Sequence, residues 1–272
     1  MTTTPPPAPG FLQRLHSGEP TLMLTLRTAR TADVVHIAAS SGHHSVMVDL
    51  EHSTMSTDTA AHLCAVAGGL GLTALVRVPE REYGMIGRLL DGGAHGVIAP
   101  RIETAEEARR IVGACRFPPR GQRSQTNMLP QLGMRPTPAA RMNPAIDATT
   151  VVQILLETPE GVANADAIAA LDGVDMLALG ANDFTAELGV PGRYDDPRVR
   201  QAVWELAEAC RRHGKLMVLG GIGDQKLMAD LVPLGVCPLR ITGTDTAFLF
   251  EAATVHAGRA LDALRPPTSS LS

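Results

Sequence analysis

Short apolar runs alternate with longer stretches of helical periodicity along this chain. Eight runs read as strands: Leu22–Leu26, Ser45–Asp49, Thr73–Val78, Gly96–Ala99, Val151–Leu156, Asp175–Leu179, Leu216–Leu219 and Pro238–Thr242. Helical character falls on Thr57–Gly69, Glu80–Leu90, Thr104–Ala114, Ala163–Leu171, Asp196–His213 and Gln225–Leu234. Strands spaced by helices imply parallel pairing and an α/β fold, a (β/α)8 barrel. Thr104-Ala-Glu-Glu107 has the form of a capping box, with acids in the first helical turn. One connection breaks the rhythm. Between Phe117 and Thr150 stand Pro118, Pro119, Pro130, Pro136, Pro138 and Pro144. This is too long and proline-rich for an ordinary crossover. Because it follows the fourth strand, it is expected to cover the barrel mouth, the alternative being a variable surface excursion.

Composition narrows the class. The 272 residues are 44% hydrophobic, enough for one large core, and barrels of about 250 residues form one domain. A single domain is expected over residues 11–264, after a disordered lead-in at 1–10 and before a flexible tail at 265–272. The net charge is −4, spread along the chain, and aromatics are only 3%; this pattern argues against nucleic acid as a partner. No apolar stretch reaches the roughly 20 residues that span a bilayer, and the N-terminus lacks the charged and apolar regions of a secretory signal. Cys64, Cys115, Cys210 and Cys237 are far apart and form no C-x-x-C pair. They read as reduced thiols of a cytoplasmic protein.

The candidate chemistry sits at strand ends. Glu157 follows Val151–Leu156, and Asp183 follows Asp175–Leu179 through Gly180, Ala181 and Asn182. In an α/β barrel such residues converge on one mouth, where two acids can share a hard divalent cation through oxygen ligands. Helix capping or metal-free acid–base work are the alternatives for these acids. Asp49-Leu50-Glu51-His52 places a candidate base at the same rim. Arg77 closes the third strand, where a fixed guanidinium can clamp a carboxylate or a developing oxyanion; a structural ion pair is the alternative. Asp91 reads by itself as a helix-end acid. Gly180–Asp183 opens a helix whose backbone N–H groups can hold a substrate carboxylate. Leu219-Gly220-Gly221-Ile222-Gly223 does not match G-x-G-x-x-G and more plausibly makes room at the mouth.

Together these pieces resemble the HpcH/HpaI aldolase family of metal-dependent class II pyruvate aldolases. The resemblance rests on Val48–His52, Leu75–Pro79, Leu89–Gly92, Arg116–Arg123, Leu156–Thr158, Leu179–Asp183 and Gly243–Thr246, in that order and spacing. It implies a (β/α)8 TIM barrel of the phosphoenolpyruvate/pyruvate-domain type. It also implies Glu157 and Asp183 as ligands of Mg2+, Mn2+ or Co2+, Arg77 at the keto oxygen, His52 as the catalytic histidine and Asp91 as its paired acid. Gly180, Ala181, Asn182 and Asp183 would receive the pyruvate carboxylate. The implied reaction interconverts a 4-hydroxy-2-oxo acid with pyruvate, or a related 2-oxo acid, and an aldehyde through a metal-stabilised enolate. The implied assembly is a homo-oligomer, a hexamer or trimer, formed by exchange of a C-terminal helix.

Some positions depart from the family pattern. Leu155-Leu-Glu-Thr158 stands where many relatives have Gln-Ile-Glu-Thr, and Gly180-Ala-Asn-Asp183 where many have Gly-Pro-x-Asp. Arg101 replaces an apolar residue, either to meet an anionic acceptor or to form a surface ion pair. These changes point to an altered acceptor pocket. Oxaloacetate decarboxylation or CoA-ester cleavage on the same scaffold is the nearest rival, although no basic cluster supplies phosphate contacts. A non-catalytic metabolite-binding barrel is the alternative of another class.

Overall fold

The computed structural model describes residues 10–265. The expected lead-in before residue 10 and the tail after 265 lie outside the described residues. A short helix α1 (Phe11–His16) precedes β1 (Thr21–Leu26), α2 (Asp33–Ser40), β2 (Ser45–Asp49), α3 (Thr57–Gly69) and β3 (Thr73–Arg77). The chain continues through α4 (Ile86–Asp91), β4 (Gly96–Ala99), α5 (Ala105–Cys115), α6 (Ala139–Thr149) and β5 (Val151–Leu156). Then come α7 (Pro159–Ala163), α8 (Ala165–Ala169), β6 (Met176–Gly180), α9 (Ala181–Glu187) and α10 (Pro197–Arg212). Last are β7 (Leu216–Gly220), α11 (Gln225–Leu231), β8 (Leu239–Thr244) and α12 (Asp245–Leu264).

All eight strands are parallel, in the order β7-β6-β5-β4-β3-β2-β1-β8. A single bridge from Met217 to Val236 brings the two edges together, so the sheet is a nearly closed (β/α)8 barrel. The expected fold class is correct. Period-two alternation divides the core into two layers. Met23, Met47, Leu75, Ile98, Val151, Leu155 and Met176 pack inside the barrel, with Phe11 and Leu15 of α1 joining them. Leu24, Val46, Val76, Val97, Ile154 and Leu177 face outward against the helices. Each such Leu or Val contributes roughly 1.5–3 kcal/mol by leaving water.

Local signals set the helix starts. Thr104 and Glu107 form the capping box expected of them, and Ser56, Thr158 and Asp224 cap α3, α7 and α11. Three expectations need correction. The helix expected at Ala163–Leu171 is shorter, Ala165–Ala169, and a separate turn of helix, Pro159–Ala163, precedes it across Asn164. The first turn of the one expected at Glu80–Leu90 is a bend and a 3-10 turn. The proline-rich connection does not cover the mouth. It follows α5, which has already returned the chain to the foot of the barrel, and it contains α6 with Pro144 inside. Arg116 ties it to Thr150 O, Gly173 O and Asp175, at the N-terminal ends of β5 and β6. Gln131 ties it to Leu90 O and Ala94 O, ahead of β4.

Among the described residues no helix is long and apolar enough to cross a membrane. The C-terminal helix α12 is exposed from Thr246 onward, leaving Leu249, Phe250, Leu261 and Leu264 bare.

Candidate active site

The inward parity of each strand continues beyond the core into the mouth. Met23 is followed on that face by Thr25 and Arg27, Leu75 by Arg77, and Val151 by Gln153, Leu155 and Glu157. Met176 is followed by Ala178 and Gly180, and Leu216 by Val218 and Gly220. A cavity of about 280 Å³ opens where these positions end. It brings together Glu157, Asp183, Arg77, His52 and the Gly180–Asn182 turn. Gly220 and Gly221 line it too, as their expected role of making room requires.

Glu157 is buried and accepts a hydrogen bond from the Arg101 backbone N–H at 3.0 Å. Burial first, and then the charges of Glu51 and Asp183, push its carboxyl up to about 8. Glu51 is raised by burial, and by Asp49 and Asp183, against the pull of Arg77. Glu157 and Glu51 are thus each pressed by the negative charge of neighbouring carboxylates, Asp183 among them. Space for Glu157 depends on Gly180. A Cβ there would lie 2.6 Å from Glu157 Cγ and 2.7 Å from its Oε1, so any larger residue would displace the carboxylate. Among the described residues no three His, Cys, Asp or Glu side chains are gathered as a ready cage. The two strand-end acids, with Glu51 behind them, instead suit a hard cation that retains water and takes substrate oxygens. The crowding of like charges in a cleft is the observation that such an ion fits.

A pH effect follows. Between about 4.5 and 8 the folded chain keeps a proton on Glu157 that the unfolded chain has released, so metal-free stability falls as pH rises through that window. A divalent ion stabilises the charged carboxylate and should reverse this trend. Melting curves at pH 5, 6.5 and 8, with chelator and with Mn2+, check it. A metal-free melting temperature that climbs over this range would contradict it.

Behind the acids, Asp49 is fully buried. It accepts from Arg77 Nε at 2.9 Å and Nη2 at 2.6 Å, and from Arg27 Nε at 2.7 Å. Burial alone would raise its carboxyl, but the Arg77 hydrogen bonds and charge, helped by Arg27, outweigh it and hold the group below its usual range. Arg77 stays charged because Asp49, Glu51 and Glu157 outweigh its own burial. Its Nη1 also stands 3.1 Å from Glu51 Oε2, close enough for an ion pair but not aligned for a hydrogen bond. His52 is half exposed, and its Nε2 lies 3.8 Å from Glu51 Oε2. Partial burial and the nearby Arg77 lower its affinity for a proton, so the ring is neutral near pH 7 and can accept one.

Asp91 does not join this group within one chain. It ends α4 on the foot side of β4 and binds Arg123 Nη2 at 2.8 Å. The expected Asp91–His52 pair is therefore corrected for the single subunit, where Glu51 is the carboxylate beside His52. Arg101 bonds Glu187 at 2.8 Å, with Glu80 at 3.8 Å, and does not line the cavity; of the two readings, it is the ion pair. Sequence reasoning missed Arg27 and Gln153. Both carried a signal: Arg27 is the polar residue directly after β1, and Gln153 shares the parity of Glu157. The Gln153 amide oxygen is buried without a hydrogen-bond partner. It lines the cavity two positions deeper than Leu155.

Fold and mouth together define a (β/α)8 barrel with carboxylates and a buried arginine gathered at the C-terminal ends of its strands. The family model for HpcH/HpaI aldolase/citrate lyase matches residues 23–226. A 4-hydroxy-4-methyl-2-oxoglutarate aldolase of Hapsidospora irregularis is 40% identical over 220 residues, covering 79% of this chain and 80% of that protein. A hydroxypyruvate/pyruvate aldolase of Pseudomonas aeruginosa is 31% identical over 269 residues, 98% of each chain. The crystal structure of an HpcH/HpaI aldolase from Desulfitobacterium hafniense superposes with a TM-score of 0.85 at 26% identity, covering 95% of this chain and 98% of that one. The chain belongs to the HpcH/HpaI aldolase/citrate lyase family. It is a class II, divalent-metal-dependent aldolase, a carbon–carbon lyase.

Proposed function

We propose that Glu157 and Asp183 hold the divalent ion, that Arg77 clamps the keto oxygen, and that His52 carries the proton in cleavage of the C3–C4 bond. The observation that supports this most is the convergence of all four side chains on one cavity. Mg2+, Mn2+ or Co2+, when bound, supplies positive charge that polarises the substrate's keto and carboxylate oxygens. Arg77 is fixed by two hydrogen bonds to Asp49, so it meets the growing enolate charge without reorganising. Neutral His52 takes the C4 hydroxyl proton in cleavage, through water, and returns it in synthesis. The Gly180–Asp183 turn forms the wall beside Glu157 and receives the substrate carboxylate. Products are pyruvate, or a related 2-oxo acid, and a carbonyl acceptor. The Hapsidospora relative's named substrate, an oxoglutarate, is a dicarboxylic member of the same class.

The bare apolar side chains of α12 support a homo-oligomer, a hexamer or trimer in which a second copy covers that helix. Four free, buried cysteines fit a reducing cytoplasm.

The test is proton exchange of the pyruvate methyl group in D2O, followed by NMR. Exchange should require Mn2+, Mg2+ or Co2+, stop with chelator and return on adding the ion. Folded protein that exchanges nothing with any of the three would refute the proposal.

A further inference from the structure

Arg27 is a second guanidinium at the mouth, and the chemistry above leaves it without a task. It lines the same cavity as Arg77, Glu157 and Asp183. Its Nε donates to the Asp49 carboxylate that also holds Arg77. The backbone beneath it is pinned as well. The N–H groups of Arg27, Thr28 and Ala29 donate to the Asp245 carboxylate at 3.0, 3.0 and 2.8 Å. The side chain is 35% exposed, and among the described residues its two Nη atoms have no hydrogen-bond partner. A guanidinium anchored through Nε presents those remaining N–H groups as a rigid fork, the geometry that grips a carboxylate through both oxygens.

The surroundings favour an anion there. Arg27, His52 and Thr244 are shared between the catalytic cavity and a second, more open hollow. That hollow runs past Thr28, Arg30 and Thr246, and no Asp or Glu lines it. Arg30 is held at its rim by bonds to Arg27 O and Ala29 O, each 3.0 Å. The mouth is thus acidic around Glu157 and Asp183 and basic around Arg27 and Arg30. His52 stands on the boundary. If it handles the C4 hydroxyl proton, a carboxylate attached to C4 is one bond away, beside Arg27.

We propose that Arg27 selects aldol adducts bearing a second carboxylate on C4, so that the acceptor released is itself a 2-oxo acid. This rests on the aldolase reading above. In cleavage the C4 hydroxyl loses its proton to His52 and C4 becomes a carbonyl. The C3–C4 electron pair passes to C3 as the enolate, which regains a proton to give pyruvate. The other product is glyoxylate when C4 carries hydrogen, and a second pyruvate when it carries a methyl group. No oxidant or reductant is needed.

The test compares 4-hydroxy-2-oxoglutarate with 4-hydroxy-2-oxopentanoate, which has a methyl group in place of the distal carboxylate. In Arg27→Met the ratio of kcat/KM for the two should shift about thirtyfold against the dicarboxylate, the scale of a charge-assisted hydrogen bond. The shift should appear mainly in KM. Calorimetry with 2-oxoglutarate, read without turnover, should show a matching loss of affinity relative to pyruvate. Arg27→Lys keeps a cation for Asp49 but lacks the fork, and should fall between; it decides the matter if Arg27→Met does not fold. An unchanged ratio, or equal losses on both substrates, overturns the proposal and makes Arg27 a support for Asp49. Failure of the wild type to exchange pyruvate protons or cleave either substrate would overturn the aldolase reading as well.

Discussion

Glu157→Gln is expected to leave a folded barrel that no longer binds a divalent ion and exchanges pyruvate protons at least about a thousandfold more slowly, since the metal's charge supplies several kcal/mol of transition-state stabilisation. The amide keeps the shape and can still accept the Arg101 N–H. What it removes is one negative charge from among the neighbouring carboxylates. The same substitution should raise metal-free stability near pH 8 and flatten its dependence on pH, because the buried group can no longer ionise. Loss of activity beside a gain in stability is the signature of a residue kept for its ligand. Asp183→Asn should lose the ion as well. Titration calorimetry with Mn2+, followed by melting of each variant with and without Mn2+, measures both effects. Wild-type metal affinity in both variants would overturn the ligand assignment.

The strands were legible because each is a short apolar run between helical stretches, and their ends could be read nearly to the residue. The mouth was legible for the same reason. Glu157, Arg77 and His52 each stand at or just past such a run, and a parallel barrel sends those positions to one rim. The errors concerned which end of the barrel a segment occupies. The Phe117–Thr150 connection was judged by the strand nearest in sequence; Asp91 read by itself as the helix-end acid it is, and only the family resemblance paired it with His52. Asp91 precedes β4, and the connection follows α5; both positions belong to the foot, because each helix returns the chain to where the next strand begins. Whether Arg101 turned inward could not be read from the pattern, since its direction depends on Glu187, 86 residues away. The value of Arg27 was hidden differently. Its place directly after β1 was a signal, but its partner Asp49 lies 22 residues on, and only the fold brings the two together.

Arg77→Met should produce the largest combined effect, and its two parts can be separated. Pyruvate exchange should fall by about a hundredfold to a thousandfold, the scale of removing one fixed donor from a developing oxyanion. Stability should also fall, by about 3 kcal/mol, because Asp49 is fully buried and would lose its bonds to Arg77 while keeping only Arg27. The sign with pH follows from Asp49, whose carboxyl is held below its ordinary value. Its contribution to stability is present above that ordinary value and is lost as pH falls through the depressed one. The deficit of the variant should therefore be full near pH 7 and shrink in acid. Arg77→Lys restores charge without the bidentate grip and should recover only part of either effect. Adding Asp49→Asn to Arg77→Met removes the stranded charge. The double variant should regain much of the stability but none of the exchange, as expected when one contact serves both folding and chemistry. Denaturant melts and NMR exchange on the same preparations make the comparison. Near-normal exchange in folded Arg77→Met would reduce Arg77 to a structural partner of Asp49. Recovery of exchange together with stability in the double variant would show that the chemical loss came only from a disordered mouth.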